Sequence, residues 1–287
     1  MKKIWLVVLL VLSVLTVSGC QAQLDEVDQS VDRAIDQFVE NYVTTYIDED
    51  YVNDYVLASI YHLDPADKEK ILSENLNPNM LLVRDTAYGL ISALVYESIL
   101  DIDMTESRNV LSTKTTENPY EAPSLLHAAY MANGSVNQIN AYIDVIINTD
   151  PTLMDADYAG MAMLALSPYQ DQEGVLEYIE DLKALILGYL SKDGVISWGN
   201  ANSATTATVI IGLVAIGENP RSEVYTIEDI DLIEALLSYE NEGGFKWMHA
   251  DEELDLMFST PQAFTALTLY QLFRKDQKPI YLYDFSK

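Results

Sequence analysis

Residues 193–220 read DGVISWGNANSATTATVIIGLVAIGENP, and residues 241–273 read NEGGFKWMHADEELDLMFSTPQAFTALTLYQLF. Each stretch passes through a glycine turn, a tryptophan, a polar patch and a run of small and apolar residues at helical spacing. Laying Ser203 over Ser259 brings Ala207 onto Ala263, Ile211 onto Leu267 and Val214 onto Tyr270. The segment DADYAGMAMLAL places Asp155, Ala159, Met163 and Leu166 on the same four positions, and RDTAYGLISALVY adds Asp85, Gly89 and Ala93. A weaker copy, EAPSLLHAAYMANG, starts near Tyr120 and keeps the small site at Ser124. An Asp or Ser stands where a helix N-cap is needed, because its oxygen can accept the unpaired N–H groups of the first turn. The small residue one turn later lets neighbouring helices approach closely, as helices ringed around one axis must. The intervals between copies, about 35 to 56 residues, each fit one helix inward and one outward.

The rest of the chain is helical in pattern. VDQSVDRAIDQFVENYVTTYI, residues 27–47, sets Val27, Val31, Ala34, Ile35, Phe38, Tyr42 and Ile47 near one stripe, and DYVNDYVLASIYHL follows closely enough to form an antiparallel pair. Apolar-periodic segments continue at 85–100, 121–133, 136–148, 155–167, 174–190, 203–217, 228–239 and 259–274, separated by Pro, Gly, Asn and Asp. No alternating strand pattern of comparable length is present. With no internal linker over residues 27–285, residues 27–287 are expected to form one all-α domain.

The first nineteen residues read as an export signal. Two lysines and an apolar run lead to Val17-Ser18-Gly19-Cys20, which resembles a bacterial lipoprotein signal with its lipobox. That resemblance implies cleavage before Cys20, a lipid on its sulfur as a membrane anchor, residues 20–26 as lipidated cysteine and tether, and location on the bacterial cell surface. Loss of Lys2 and Lys3 would take the formal charge from -29 to -31. Such an excess excludes nucleic acid as a partner. Cys20 is the only cysteine, so lipidation would leave no thiol for a disulfide, a nucleophile or a zinc site.

The stretches around Asp155, Ser203 and Ser259 resemble the prenyltransferase and squalene-cyclase repeats of α/α toroids. The likeness is nearest to bacterial surface proteins and to the cobalamin carriers, and it covers about residues 85–285. It implies a barrel of about six helical hairpins, inner helices inside outer ones, with a ligand cavity at one mouth. The tryptophans depart from the cyclase QW signature: Glu240 and Asn241 precede Gly243-Gly244-Phe245-Lys246-Trp247, and Gly194 stands four before Trp198. Trp198 and Trp247 read first as packing for the hairpin turn and second as ligand stackers.

Asp155-Ala156-Asp157-Tyr158 partly matches the acid motif of squalene-hopene-type cyclases, with Asp157 in the proton donor's place, Asp155 in that of the first acid, and Tyr158 replacing the last. Cap and first-turn roles explain both acids without chemistry. If the chain is an enzyme, Asp157 and Asp155 are its candidate catalytic residues. His62, His127 and His249 show no metal-ligand spacing. The acid runs at Asp101/Asp103 and at Asp251, Glu252, Glu253 and Asp255 lack the glycine and spacing of an EF-hand loop. No metal is assigned, and no cofactor fingerprint occurs. The expectation is a non-catalytic toroid that binds a small molecule, a glycan or a protein at its mouth, through Asp85, Asp155, Asp157, Tyr158, Trp198, Asn200, Asn202, Ser203, Trp247 and Ser259. A glycan-active or terpene-cyclase-like enzyme using mouth carboxylates is the alternative.

Overall fold

The structure, a computed structural model, describes residues 24–47, 52–63, 68–70, 72 and 86–286. The expectations placed on residues 1–19, on Cys20 and on Asp85 lie outside the described residues. Helices follow one another as α1 (Glu26–Asn41), α2 (Asp54–His62), α3 (Ala87–Leu100), α4 (Thr105–Thr113), α5 (Ala122–Met131) and α6 (Val136–Ile147). They continue as α7 (Ala156–Leu166), α8 (Val175–Leu187), α9 (Ser203–Ile216), α10 (Leu232–Leu237) and α11 (Ser259–Asp276). Among the described residues, no helix is long and apolar enough to cross a membrane.

Neighbour relations give a closed circle: α2 packs on α3, α3 on α5, α5 on α7, α7 on α9, α9 on α11, and α11 back on α2. Outside this ring, α1 lies against α10 and α11, α4 against α3 and α5, α6 against α5, α8 against α7, and α10 against α9. The chain is therefore an all-α toroid. Sequence and position agree: α9 is buried everywhere except Ala204 and Ile216, whereas α1 buries only the stripe Val31, Ala34, Ile35 and Phe38.

Two glycines set the tightest contact in the ring. A Cβ at Gly160 of α7 would stand 2.5 Å from the Thr208 carbonyl oxygen of α9, and one at Gly212 of α9 would stand 2.6 Å from the Gly160 carbonyl oxygen. The helices thus meet backbone to backbone, where no side chain can turn aside. The ring closes at α2 and α11, where Ser59 Oγ donates to Thr265 Oγ1 at 2.8 Å across 206 residues of sequence. Outside that seam, Phe38 of α1 stacks on Phe264 at 3.9 Å between ring centres, and Arg274 pairs with Asp32. Arg221 joins Asp231, at 2.7 Å, to Asp25, at 2.8 Å.

Two small sheets, which the sequence pattern did not announce, precede α9 and α11. Strands β1 (Leu190–Ser191), β2 (Gly194–Ser197) and β3 (Asn200–Ala201) form one antiparallel sheet, and β4 (Glu240–Asn241) pairs with β5 (Gly244–Phe245) in the other. Runs of two to four residues are too short for alternation to register. The expected glycine turns are present, with φ of 103° at Gly194 and 86° at Gly243. In both hairpins the strand is fastened to the next inner helix by a hydroxyl: Val195 N–H donates to Thr206 Oγ1 and Phe245 N–H to Thr260 Oγ1, each at 2.9 Å. The device repeats, but two residues out of step with the Ser203-on-Ser259 alignment.

The caps also need correcting. Asp155 caps α7 as expected, accepting from Tyr158 N–H at 2.9 Å. At α3 and α9, however, Thr86 and Asn202 are the caps, and Ser203 is already inside its helix. Ser259 is likewise helical, and the Asp255 carboxylate receives the N–H groups of Met257, Phe258 and Ser259. Beyond α11 the chain turns into the ring axis, burying Leu282 and Tyr283. It is held by Tyr61 Oη donating to the Phe285 carbonyl at 3.1 Å and by His62 Nε2 on the Leu282 carbonyl at 2.8 Å.

Gly160→Ala should destabilise the fold by about 1–3 kcal/mol or more, because overpacking against backbone cannot relax by a rotamer change. Urea unfolding followed by circular dichroism measures it; an unchanged midpoint would refute the backbone contact.

Candidate functional site

The leading ends of four inner helices surround a cavity of about 440 Å³ on the ring axis. Asn53 and Tyr55 reach it from the start of α2, Tyr88 from α3, Ser124 and His127 from α5, and Phe258 and Gln262 from the start of α11. These ends therefore share one pole, as the repeat requires. Ile91, Met161 and Met257 supply apolar wall, so the cavity is amphiphilic. Tyr283, from the chain end, forms its floor and also lines a second hollow of about 540 Å³ bordered by Ser98, Tyr130 and Asp284.

Asp54 opens α2 between two cavity-lining residues and is 1% exposed. Neither carboxylate oxygen has a hydrogen-bond partner. The hydroxyls of Tyr88, Ser92 and Tyr283 face it and draw its pKa down, without closing bonds of ordinary geometry. Burial outweighs them and pushes the carboxyl up to about 6. His127 is also buried; Tyr281 Oη lies 2.8 Å from its Nδ1, and desolvation lowers the imidazole to about 3, which keeps the ring neutral at pH 7. Sequence reasoning passed over Asp54, which lies inside the segment DYVNDYVLASIYHL that was read only as the second helix of a pair. Its position on the stripe shared with Leu57 and Ala58, both fully buried, was the available signal.

The residues singled out by sequence separate into two groups. Tyr158, Asn202, Ser203 and Ser259 have at most 1% exposure, and none of them lines the cavity. Tyr158 packs edge-on against Tyr120 and its hydroxyl lies 3.3 Å from that of Tyr178. Ser203 Oγ donates to the Lys246 carbonyl at 2.6 Å, and Ser259 Oγ to Asp255 at 2.8 Å. These four are structural because each joins one element to the next. Asp157, Trp198, Asn200 and Trp247 remain accessible. Asp157 accepts from Ser197 Oγ at 2.9 Å and Thr205 Oγ1 at 3.0 Å, linking hairpin, α7 and α9. Burial raises its pKa; those two bonds oppose the rise and nearby Asp155 adds to it.

Trp198 does not pack the turn, contrary to its first reading. It is 86% exposed at the tip of the β2–β3 hairpin, with φ of 54° followed by 87° at Gly199. Two successive positive φ values at a two-residue tip favour Asn-Gly, and a bulky residue there gains nothing from the backbone. The acid runs serve local turns: Asp103 accepts from Thr105 N–H, Asp251 from Met248 N–H, and Asp255 from the start of α11. Among the described residues, no group of three or more metal-ligating side chains is assembled.

Neither a family model nor a curated protein matches this chain. Among solved structures, a glycosyl hydrolase family 88 protein from Bacteroides vulgatus superposes with a TM-score of 0.55 at 12% identity, over 88% of this chain and 99% of that one. At this identity the likeness concerns the fold: the α/α toroid is shared, and membership of the prenyltransferase-repeat group gains no support from it.

Asp54 has a folded pKa above its unfolded value, so its contribution favours folding below about pH 4 and is lost as pH rises through about 6. Asp54→Asn should therefore stabilise the protein by about 3 kcal/mol at pH 7.5, shrinking towards zero at pH 4. Denaturant titrations at the two pH values check this, and a destabilised variant at pH 7.5 contradicts it.

Proposed function

We propose that this protein binds a small amphiphilic molecule in its axial cavity and holds it without converting it. A lipid on Cys20 would tether it outside the cytoplasm. The observation that carries this reading is the cavity itself, whose volume and mixed apolar and hydroxyl lining suit a ligand of one or two rings. The non-catalytic part rests on how the acids are engaged. A glycosidase needs two carboxyl groups facing each other across the scissile bond. Among the described lining residues the cavity has none, Asp155 is occupied as a cap, and Asp157 is held by Ser197 and Thr205.

A second reading, glycan cleavage at the rim, draws on three observations. The similar solved structure is described as a glycosyl hydrolase, Asp157 is half-buried with a raised pKa, and Trp198, which follows the Ser197 bonded to Asp157, presents its indole to solvent. An acid with a raised pKa and an aromatic platform are parts such an enzyme uses.

Native mass spectrometry of the protein after incubation with cell extract should retain a small molecule, and Ser124→Trp, which fills the cavity, should abolish retention while circular dichroism stays unchanged. Retention that survives Ser124→Trp contradicts the cavity assignment. Release of reducing sugar from a polysaccharide panel, abolished by Asp157→Asn, would instead establish the second reading.

A further inference from the structure

We infer that the ligand of the axial cavity carries a protonated amine, and that this ammonium group is received by Asp54 within the cluster Tyr55, Tyr88 and Tyr283. The inference rests on the cavity-binding reading above and names the chemical class that the cavity would select.

The argument begins with an unfinished account. A carboxylate taken out of water costs several kcal/mol unless it is paired and hydrogen-bonded. Asp54 is buried, both of its oxygens lack partners, and no salt bridge reaches it among the described residues. Among the described residues, the elements packed around it bring nothing positive. Its own helix supplies Tyr55, α3 supplies Tyr88 and Ser92, and the chain end supplies Tyr283. The stretch of α11 from Ser259 to Leu267 contains no charged residue, and His127 of α5 is neutral. In the cavity lining, Gln262 has a second buried acceptor, Oε1, without a partner. Two orphan acceptors about one hollow call for a ligand that donates hydrogen bonds.

The choice of an ammonium over a neutral hydroxyl follows from charge and from the neighbours. A bond from an ionised donor to an ionised acceptor is about twice as strong as a neutral one. The three tyrosines that surround Asp54 all line or face the cavity, and aromatic faces attract organic cations. Asp54 does not itself line the cavity, but its neighbours Asn53, Tyr55, Tyr88 and Tyr283 do, so the ammonium group reaches the carboxylate by displacing a tyrosine hydroxyl that faces it. The chain's net charge of -29 concentrates cations near the mouth and disfavours anions.

Benzylamine and benzyl alcohol test this directly, since they match in size and differ in the cationic group. Isothermal titration of the full chain at pH 7.5 should show benzylamine binding at least tenfold more tightly than benzyl alcohol. At pH 4.5, where benzylamine stays protonated and Asp54 does not stay ionised, the preference should fall to about twofold or less. Asp54→Asn should remove the preference at pH 7.5, and the wild-type pH comparison stands alone should that variant fail to fold. Equal binding of the two probes at pH 7.5, sensitive to Ser124→Trp, overturns the ammonium inference and leaves the cavity reading intact. Binding of neither probe, with no molecule retained from extract, overturns both.

Discussion

Closure of the inner ring is the constraint from which the remaining features follow. Six helices can surround an axis only if the last returns to the first, and here that seam joins segments more than 200 residues apart through Ser59 and Thr265. Loop-closure entropy for so distant a contact must be offset by burial, and α1 adds the Phe38–Phe264 stack and the carboxylates that receive Arg221 and Arg274. Exposed ion pairs contribute little singly, but Arg274 is largely buried at the same seam as the aromatic stack. Gly160 and Gly212 act on another arc, drawing α7 and α9 together. A ring compressed at one arc leaves its open space elsewhere, and the cavity lies towards α2, α3, α5 and α11.

Much of this was legible in the sequence. Apolar residues at helical spacing marked α7, α9 and α11, and the glycine turns before α9 and α11 fall where they were expected. The missed helix, Thr105–Thr113, buries only Ser107 and Leu111, so no stripe identified it. The strands were too short to show a period, and the caps were displaced by one residue because Ser203 and Asn202 are both good cap residues and only geometry separates them. Of the residues proposed for binding, Tyr158, Asn202, Ser203 and Ser259 are buried in links between elements, while Asp157, Trp198, Asn200 and Trp247 stay accessible. A cap and a ligand contact use the same residue types, which is why sequence could not divide them. Asp54 escaped because it lies inside a segment that was read for its helical pattern alone.

Two features run against stability. Asp54 is a buried acid with no partner, and Trp198 occupies a turn position better suited to asparagine. Elsewhere local preference and packing agree: Asp231 and Glu234 form a reciprocal capping box on α10, and the hydroxyls of Thr206 and Thr260 satisfy strand N–H groups. Of the two, Asp54 stands next to Asn53 and Tyr55 of the cavity lining, where a departure from local consistency is most readily connected with binding. The chain end contributes as well, since Tyr283 lines the cavity.

The closed ring is tested most directly by trapping its seam. Ser59→Cys and Thr265→Cys, introduced together, place two thiols where hydroxyls now meet at 2.8 Å. Mild oxidation of the folded protein should give an intramolecular disulfide in near-quantitative yield, seen as a mobility shift on a non-reducing gel that is lost on reduction. Free thiols after oxidation, with helical circular dichroism intact, would show that α2 and α11 do not touch and that the helices form an open stack with no shared hollow.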